Sequence, residues 1–171
     1  MGNEPYLDNR FPHLTAQNYA QKYKQFATAI RAADPLAPLG AAFVGKELEE
    51  QYRSREGVGW NEALLRDAGD LINYGSIHNA YYPSFILDPL TPTDDIFTKA
   101  FWSVDKIRAD FVWLKQLIGT RPIKFDVSEF NSFFGIYTNF DSYVASLGGS
   151  VYIANTIQEL LNTPVVGAAQ Y

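Results

Sequence analysis

Short apolar runs alternate with longer runs of helical period along this chain, and that alternation restricts the possible folds more than any other feature. "LTAQNYAQKYKQFATAIRAADP" sets Tyr19, Tyr23, Phe26, Ile30 and Ala33 at steps of three and four. That is one stripe of a helix, which Thr15 can cap and Pro35 stops. "PLGAAFVG" is a brief apolar run flanked by glycine, the pattern of a buried strand. "NEALLRDAG" predicts a shorter helix, and "DLINYGSIHNAYYP" a strand through Ile77 followed by a loop. "TPTDDIFTKAFWSVDKIRADFVWLKQLIG" carries the strongest helical signal: Phe97, Phe101, Val104, Ile107, Phe111, Leu114 and Ile118 share one stripe. Gly119 ends it and Pro122 reinforces the stop. "IKFDVSEF" predicts a strand. A further helix is expected from Ser142 to Leu161, weakened early by Gly148 and Gly149 at about 1 kcal/mol each against alanine in a helix interior. "VVGAA" predicts one more buried strand.

Strands separated by helices pair in parallel through right-handed crossovers, so the expected class is α/β. Two architectures satisfy this: an open doubly wound sheet and a (β/α)8, or TIM, barrel. No glycine-rich phosphate loop follows any strand, which removes support from the nucleotide-binding version. A whole barrel takes about 250 residues, more than the 171 present. The expected organisation is a single domain over residues 1–171. "GKELEEQYRSREG" reads as a solvated loop that could also wall a subsite, and Trp102 and Trp113 as packing residues of the long helix.

A chain of this length buries roughly 70% of its unfolded surface, and 47% apolar against 19% charged residues places it among folded proteins. The net charge of −5 argues against a nucleic-acid partner, which needs clustered Lys and Arg. Absence of cysteine excludes a disulfide scaffold, a zinc-thiolate site and a cysteine nucleophile, and leaves the compartment open. No stretch reads as a signal peptide or membrane span. Aromatic residues reach 15%, enough for both a ring-rich core and a cleft with stacking surfaces.

In parallel α/β folds reactive groups sit at the carboxyl ends of strands. "INYGSIH" ends in His78, with Tyr81 and Tyr82 close behind; "IKFDVSE" ends in Glu129; if "MGNE" is the tail of a strand, it ends in Glu4. Trp60 precedes a helix on a loop, where its ring could stack on a substrate. Two carboxylates in one pocket are the minimum equipment for breaking a glycosidic bond.

Asn-Glu-Pro after a strand and a distant Ser-Glu-Phe-Asn resemble the clan A glycoside hydrolases, which are (β/α)8 barrels. The likeness runs through the chain, with "GNEPY" at strand four, "LGAAFVG" at strand five, "INYGSIHNAYYP" at strand six, "IKFDVSEFN" at strand seven and "VVGAAQY" at strand eight. "SIHNAYYP" and "SEFN" are most similar to the α-L-arabinofuranosidase and β-glycanase branch. The resemblance implies part of a barrel, from the end of strand four to strand eight, belonging to a longer enzyme whose N-terminal barrel half is the expected partner. It implies Glu4 as acid/base, Glu129 as nucleophile, and Asn3 on the sugar hydroxyl next to the anomeric carbon. His78 and one of Tyr81 or Tyr82 would line the site near Glu129. Retention by double displacement would need the two carboxyls about 5–5.5 Å apart. The substrate would be a polysaccharide or oligosaccharide, with no metal or organic cofactor implied. The second reading is a non-catalytic carbohydrate-binding or assembly fragment that keeps the same glutamates.

Overall fold

The computed structural model describes residues 4–7, 14–78, 93–130 and 147–169. In chain order the elements are α1 (Ala16–Ala33), β1 (Gly40–Ala42), α2 (Lys46–Glu56), α3 (Trp60–Ala68) with a 3₁₀ turn (Gly69–Leu71), β2 (Tyr74–Ile77), α4 (Thr93–Ile118), β3 (Lys124–Val127), α5 (Leu147–Leu161) and β4 (Val166–Ala169). They divide into two compact units. The first holds Met1–Ile77 and Trp113–Phe125, the second His78–Val112 and Asp126–Tyr171. Among the described residues no helix is long and apolar enough to cross a membrane.

In the first unit β1 pairs with β2 in parallel, Gly40 opposite Tyr74 and Ala42 opposite Ser76. The opening of β3 lies on the far side of β2, where the Lys124 amide donates to the Asn73 carbonyl at 3.4 Å. The rings of Phe43 and Phe125 meet edge to face at 5.3 Å and are fully buried. The other side of β1 is closed by side chains. Phe43 donates to Ser76 on β2, so Ala42 and Val44, of opposite parity, aim their backbone groups away from the partner strand. The Ala42 amide donates to the Tyr19 hydroxyl at 2.8 Å, and the Ala42 carbonyl accepts from Trp60 Nε1 at 2.9 Å. Asn61 serves both groups of Val44, accepting at 2.9 Å and donating at 2.8 Å. An exposed row of unpaired strand groups would be sticky; here four are satisfied by three side chains of α1 and α3.

Helix α1 starts where expected, the Thr15 hydroxyl accepting from the Asn18 amide at 3.1 Å, which satisfies one orphan donor of the first turn. Its buried face is Ala16, Tyr19, Ala20, Tyr23 and Ala27. The expected stripe is therefore partly corrected: Phe26 is 58% and Ile30 43% exposed. Helix α1 packs on α3, with Tyr19 stacked on Trp60, and three of its five buried residues are alanines, so the bulky pair lies off the buried face.

The charged run expected as a loop is helix α2. Three local features make it one. Lys46–Glu50 and Glu49–Arg53 stand four apart, at 3.8 and 3.7 Å. Acids occupy its first turn and arginines its last, matching the helix dipole. Gly57 stops it at φ 74°, a left-handed conformation that costs glycine little. Glu49 and Tyr52 are its buried residues.

In the second unit, α4 buries Ile107 and Phe111 of the predicted stripe, and also Asp110, which the stripe did not include, while Val104 is half-buried; the side chains of Phe97, Phe101 and Trp102 lie outside the described residues. Leu114 and Ile118, at the end of the same helix, are buried in the first unit. Arg108 reaches from α4 to α5 and grips Glu159 through two hydrogen bonds, 2.9 and 2.6 Å, with Asp105 at 3.0 Å on a third nitrogen arm. Helix α5 is described from Leu147, and Gly148 and Gly149 lie within it; residues 142–146 lie outside the described set. Gly149, Tyr152, Thr156 and Leu160 form its buried stripe. The close of β3 neighbours β4.

Candidate active site

Glu4, in the first unit, occupies a turn rather than a regular element. Its backbone lies at φ 45°, the left-handed region, which non-glycine residues enter at a cost of about 1 kcal/mol or more. The Glu4 carbonyl accepts from the Leu7 amide at 3.0 Å, closing a turn whose second residue, Pro5, has a ring-fixed φ. Tyr6 is the buried post of this turn. Its carbonyl accepts from the Tyr52 hydroxyl at 2.5 Å, and its own hydroxyl donates toward Glu4 Oε1 at 3.4 Å.

Behind Tyr6 stands an aromatic cluster. Trp60 meets Tyr6 edge-on at 5.9 Å, stacks on Tyr19 at 4.4 Å and 23°, and lies 5.1 Å from Tyr52. Trp60 is thus the first residue of α3 and fully buried, not a loop residue with a ring turned outward. With one face on Tyr19, an edge on Tyr6 and its N–H on Ala42, it is committed to the core, which corrects the expectation that it stacks on a substrate. Burial pushes the Tyr19 phenol up to about 12, against the pull of the Ala42 amide hydrogen bond.

The second unit brings His78 and Glu129 together. His78 directly follows β2, and Glu129 stands two residues past β3. Their side chains approach to 3.7 Å between Nε2 and Oε1, with 9% of the imidazole and 42% of the carboxyl side chain exposed. At that distance the contact is electrostatic rather than a short hydrogen bond, and it is an ion pair when the imidazole is protonated. Glu129 shares the parity of Ile123, Phe125 and Val127, all buried, while Lys124, Asp126 and Ser128 alternate with partial or full exposure. The strand is covered completely on one face only, which accounts for its mixed composition. Asn3, Tyr81 and Tyr82 lie outside the described residues.

Sequence reasoning assigns no role to Tyr6 or Tyr52, although Tyr6 stands inside "GNEPY"; a tyrosine two residues beyond a candidate acid was the available signal. Glu49 and Asn61, buried and fully engaged, were missed as well. Glu49 accepts from the amides of Asn61 at 2.6 Å and Glu62 at 3.1 Å, capping α3 from α2.

No protein-family model and no curated protein matches the chain. Solved structures do. The GH51 α-L-arabinofuranosidase of Thermotoga petrophila RKU-1 matches with a TM-score of 0.69 at 18% identity, over 99% of this chain and 32% of that one. The α-L-arabinofuranosidase of Thermotoga maritima, solved with arabinose, matches at 0.68 and 19%, over 99% and 32%. A third arabinofuranosidase gives 0.69 and 21%, over 99% and 33%. The chain spans about a third of the length of each. The likeness establishes the fold: an α/β arrangement with parallel strands that corresponds to part of a GH51 glycoside hydrolase barrel, as the resemblance to clan A implies.

Proposed function

We propose that this chain carries the two catalytic carboxyls of a retaining glycosidase, Glu129 as nucleophile and Glu4 as acid/base, acting on an arabinofuranoside-type linkage. The observation that carries the reading is the pairing of Glu129 with His78 at 3.7 Å just past the ends of β3 and β2, in a fold shared with α-L-arabinofuranosidases. Reactive groups gather at such strand ends.

In the first step Glu4, protonated, gives its proton to the leaving oxygen while Glu129 attacks the anomeric carbon. The C–O bond to the leaving group breaks and a glycosyl ester on Glu129 forms. In the second step Glu4, now a carboxylate, takes a proton from water as that water displaces Glu129. His78 holds the Glu129 carboxylate in its attacking orientation. Asn3 binds the neighbouring sugar hydroxyl, and Tyr81 or Tyr82 lines the site.

The test is hydrolysis of an aryl α-L-arabinofuranoside by the full chain, followed by NMR of the first-formed sugar. Retained anomeric configuration and its loss in Glu129→Ala support the reading; an inverted first product or full turnover by Glu129→Ala overturns it. The chain's span of about a third of its structural neighbours supports a second reading, sugar binding without turnover. Calorimetric binding of arabino-oligosaccharide with no product released would favour that one.

A further inference from the structure

We propose that Tyr6, anchored from behind by Tyr52, is a positioning residue that fixes the direction of the Glu4 carboxyl; this rests on the reading of Glu4 as the acid/base. A left-handed glutamate persists only where its surroundings over-determine it, and the surroundings of Glu4 do so through Tyr6. The Tyr6 carbonyl is taken by the Tyr52 hydroxyl at 2.5 Å, its ring abuts Trp60, and its phenol points at Glu4 Oε1 from 3.4 Å. Pro5 stiffens the turn between them and the Leu7 amide closes it at 3.0 Å. Tyr52 in turn is fully buried on α2, with the Arg55 guanidinium 4.6 Å over its ring. A rigid helix therefore holds a buried tyrosine, which holds the turn, which aims the carboxyl. An acid that must deliver a proton to one oxygen loses rate steeply when it is misaimed.

Leaving-group dependence separates positioning from general structural support. A dinitrophenolate departs without a proton, whereas a poor leaving group such as an alcohol needs one. Tyr6→Phe is expected to lower kcat/KM, which reports the first step, about tenfold on an alkyl arabinofuranoside, with kcat/KM on the dinitrophenyl substrate nearly unaffected. Equal losses on both substrates overturn the proposal. Glu4→Ala distinguishes the two levels: if it shows no leaving-group dependence, the acid/base reading itself has failed, and the Tyr6 proposal falls with it. If Glu4→Ala shows the dependence and Tyr6→Phe does not, only the positioning role is lost. A measurement independent of turnover is amide exchange in the full chain. Tyr52→Phe is expected to speed exchange of the Leu7 amide about tenfold, since the turn loses its anchor; an unchanged rate overturns the anchoring.

Discussion

Glu49, in the middle of α2, is 1% exposed, and Glu129, just past β3, keeps 42% of its side chain exposed. Each lies in its own unit and can be compared on its surroundings alone. Both oxygens of Glu49 are occupied by backbone amides at the start of α3, with Arg53 3.7 Å away on the outer side. Gly59 leaves room for it: a Cβ there would fall 1.9 Å from Glu49 Oε1. Glu129 meets a side chain that can itself gain or lose a proton and retains a surface that a substrate could reach. Burial raises the Glu49 carboxyl above its ordinary 4.5, against the downward pull of the two amides and Arg53. The contrast teaches that a carboxylate consumed by backbone donors holds structure together, whereas the role proposed for Glu129 asks for one left half open at a strand end beside a titratable partner.

Substitution at each carboxylate should separate chemistry from stability. Glu129→Gln should lower turnover by about 10⁴-fold or more while shifting stability by less than about 0.5 kcal/mol. Kinetics and a urea melt on one preparation check both halves. Glu49→Ala should do the reverse. It leaves the buried Asn61 amide and the Glu62 amide without acceptors, at about 3 kcal/mol, with no selective effect on the chemical step. A Glu129 variant that unfolds with its activity intact would dissolve the distinction.

Glu49 also gives a dependence on pH. Its folded value lies above 4.5, so the folded state holds the proton more tightly than the unfolded one. The resulting stability is fully present below about 4.5 and is lost as pH rises through the folded value. Wild type should therefore lose stability relative to Glu49→Gln between acid pH and neutrality, read from paired urea midpoints. Gly59→Ala should cost about 2 kcal/mol, because its methyl and the Glu49 carboxyl compete for the same space. The two substitutions should be less than additive, as the clash disappears once Glu49 is gone.

Periodicity made α1, α3 and α4 legible, and short apolar runs the four strands; the helices and β1 to β3 each bury a face of their own. Helix α2 was not legible by that route. Its buried face among "KELEEQYRSRE" is Glu49 and Tyr52, so no apolar stripe exists, and the signal lay in charge spacing and Gly57. At the candidate site, the positions of His78 and Glu129 just past two strands were readable from the apolar runs that precede them. The supports were not. Tyr52, Asn61 and Glu49 satisfy backbone groups of Tyr6, Val44 and α3, and nothing in a sequence marks which remote amide or carbonyl lacks a partner. Trp60 was misread for the same reason: its partner, the carbonyl of Ala42, is set by the strand edge and not by its neighbours in the chain.

Thr156 is a third buried polar group, with the smallest expected effect. It is fully buried on α5, like Glu49, yet its hydroxyl has no hydrogen-bond partner among the described residues. A buried oxygen without a donor or acceptor has given up water and gained nothing in return. Valine has nearly the same shape and no polar atom, so Thr156→Val should raise stability by about 0.5–1 kcal/mol, measured as a higher urea midpoint at unchanged slope. Were the burial of polar atoms itself harmless here, the substitution would leave the midpoint where it is. Any loss in Glu49→Ala would then need another cause than its two abandoned amides, because the same desolvation acts at both sites.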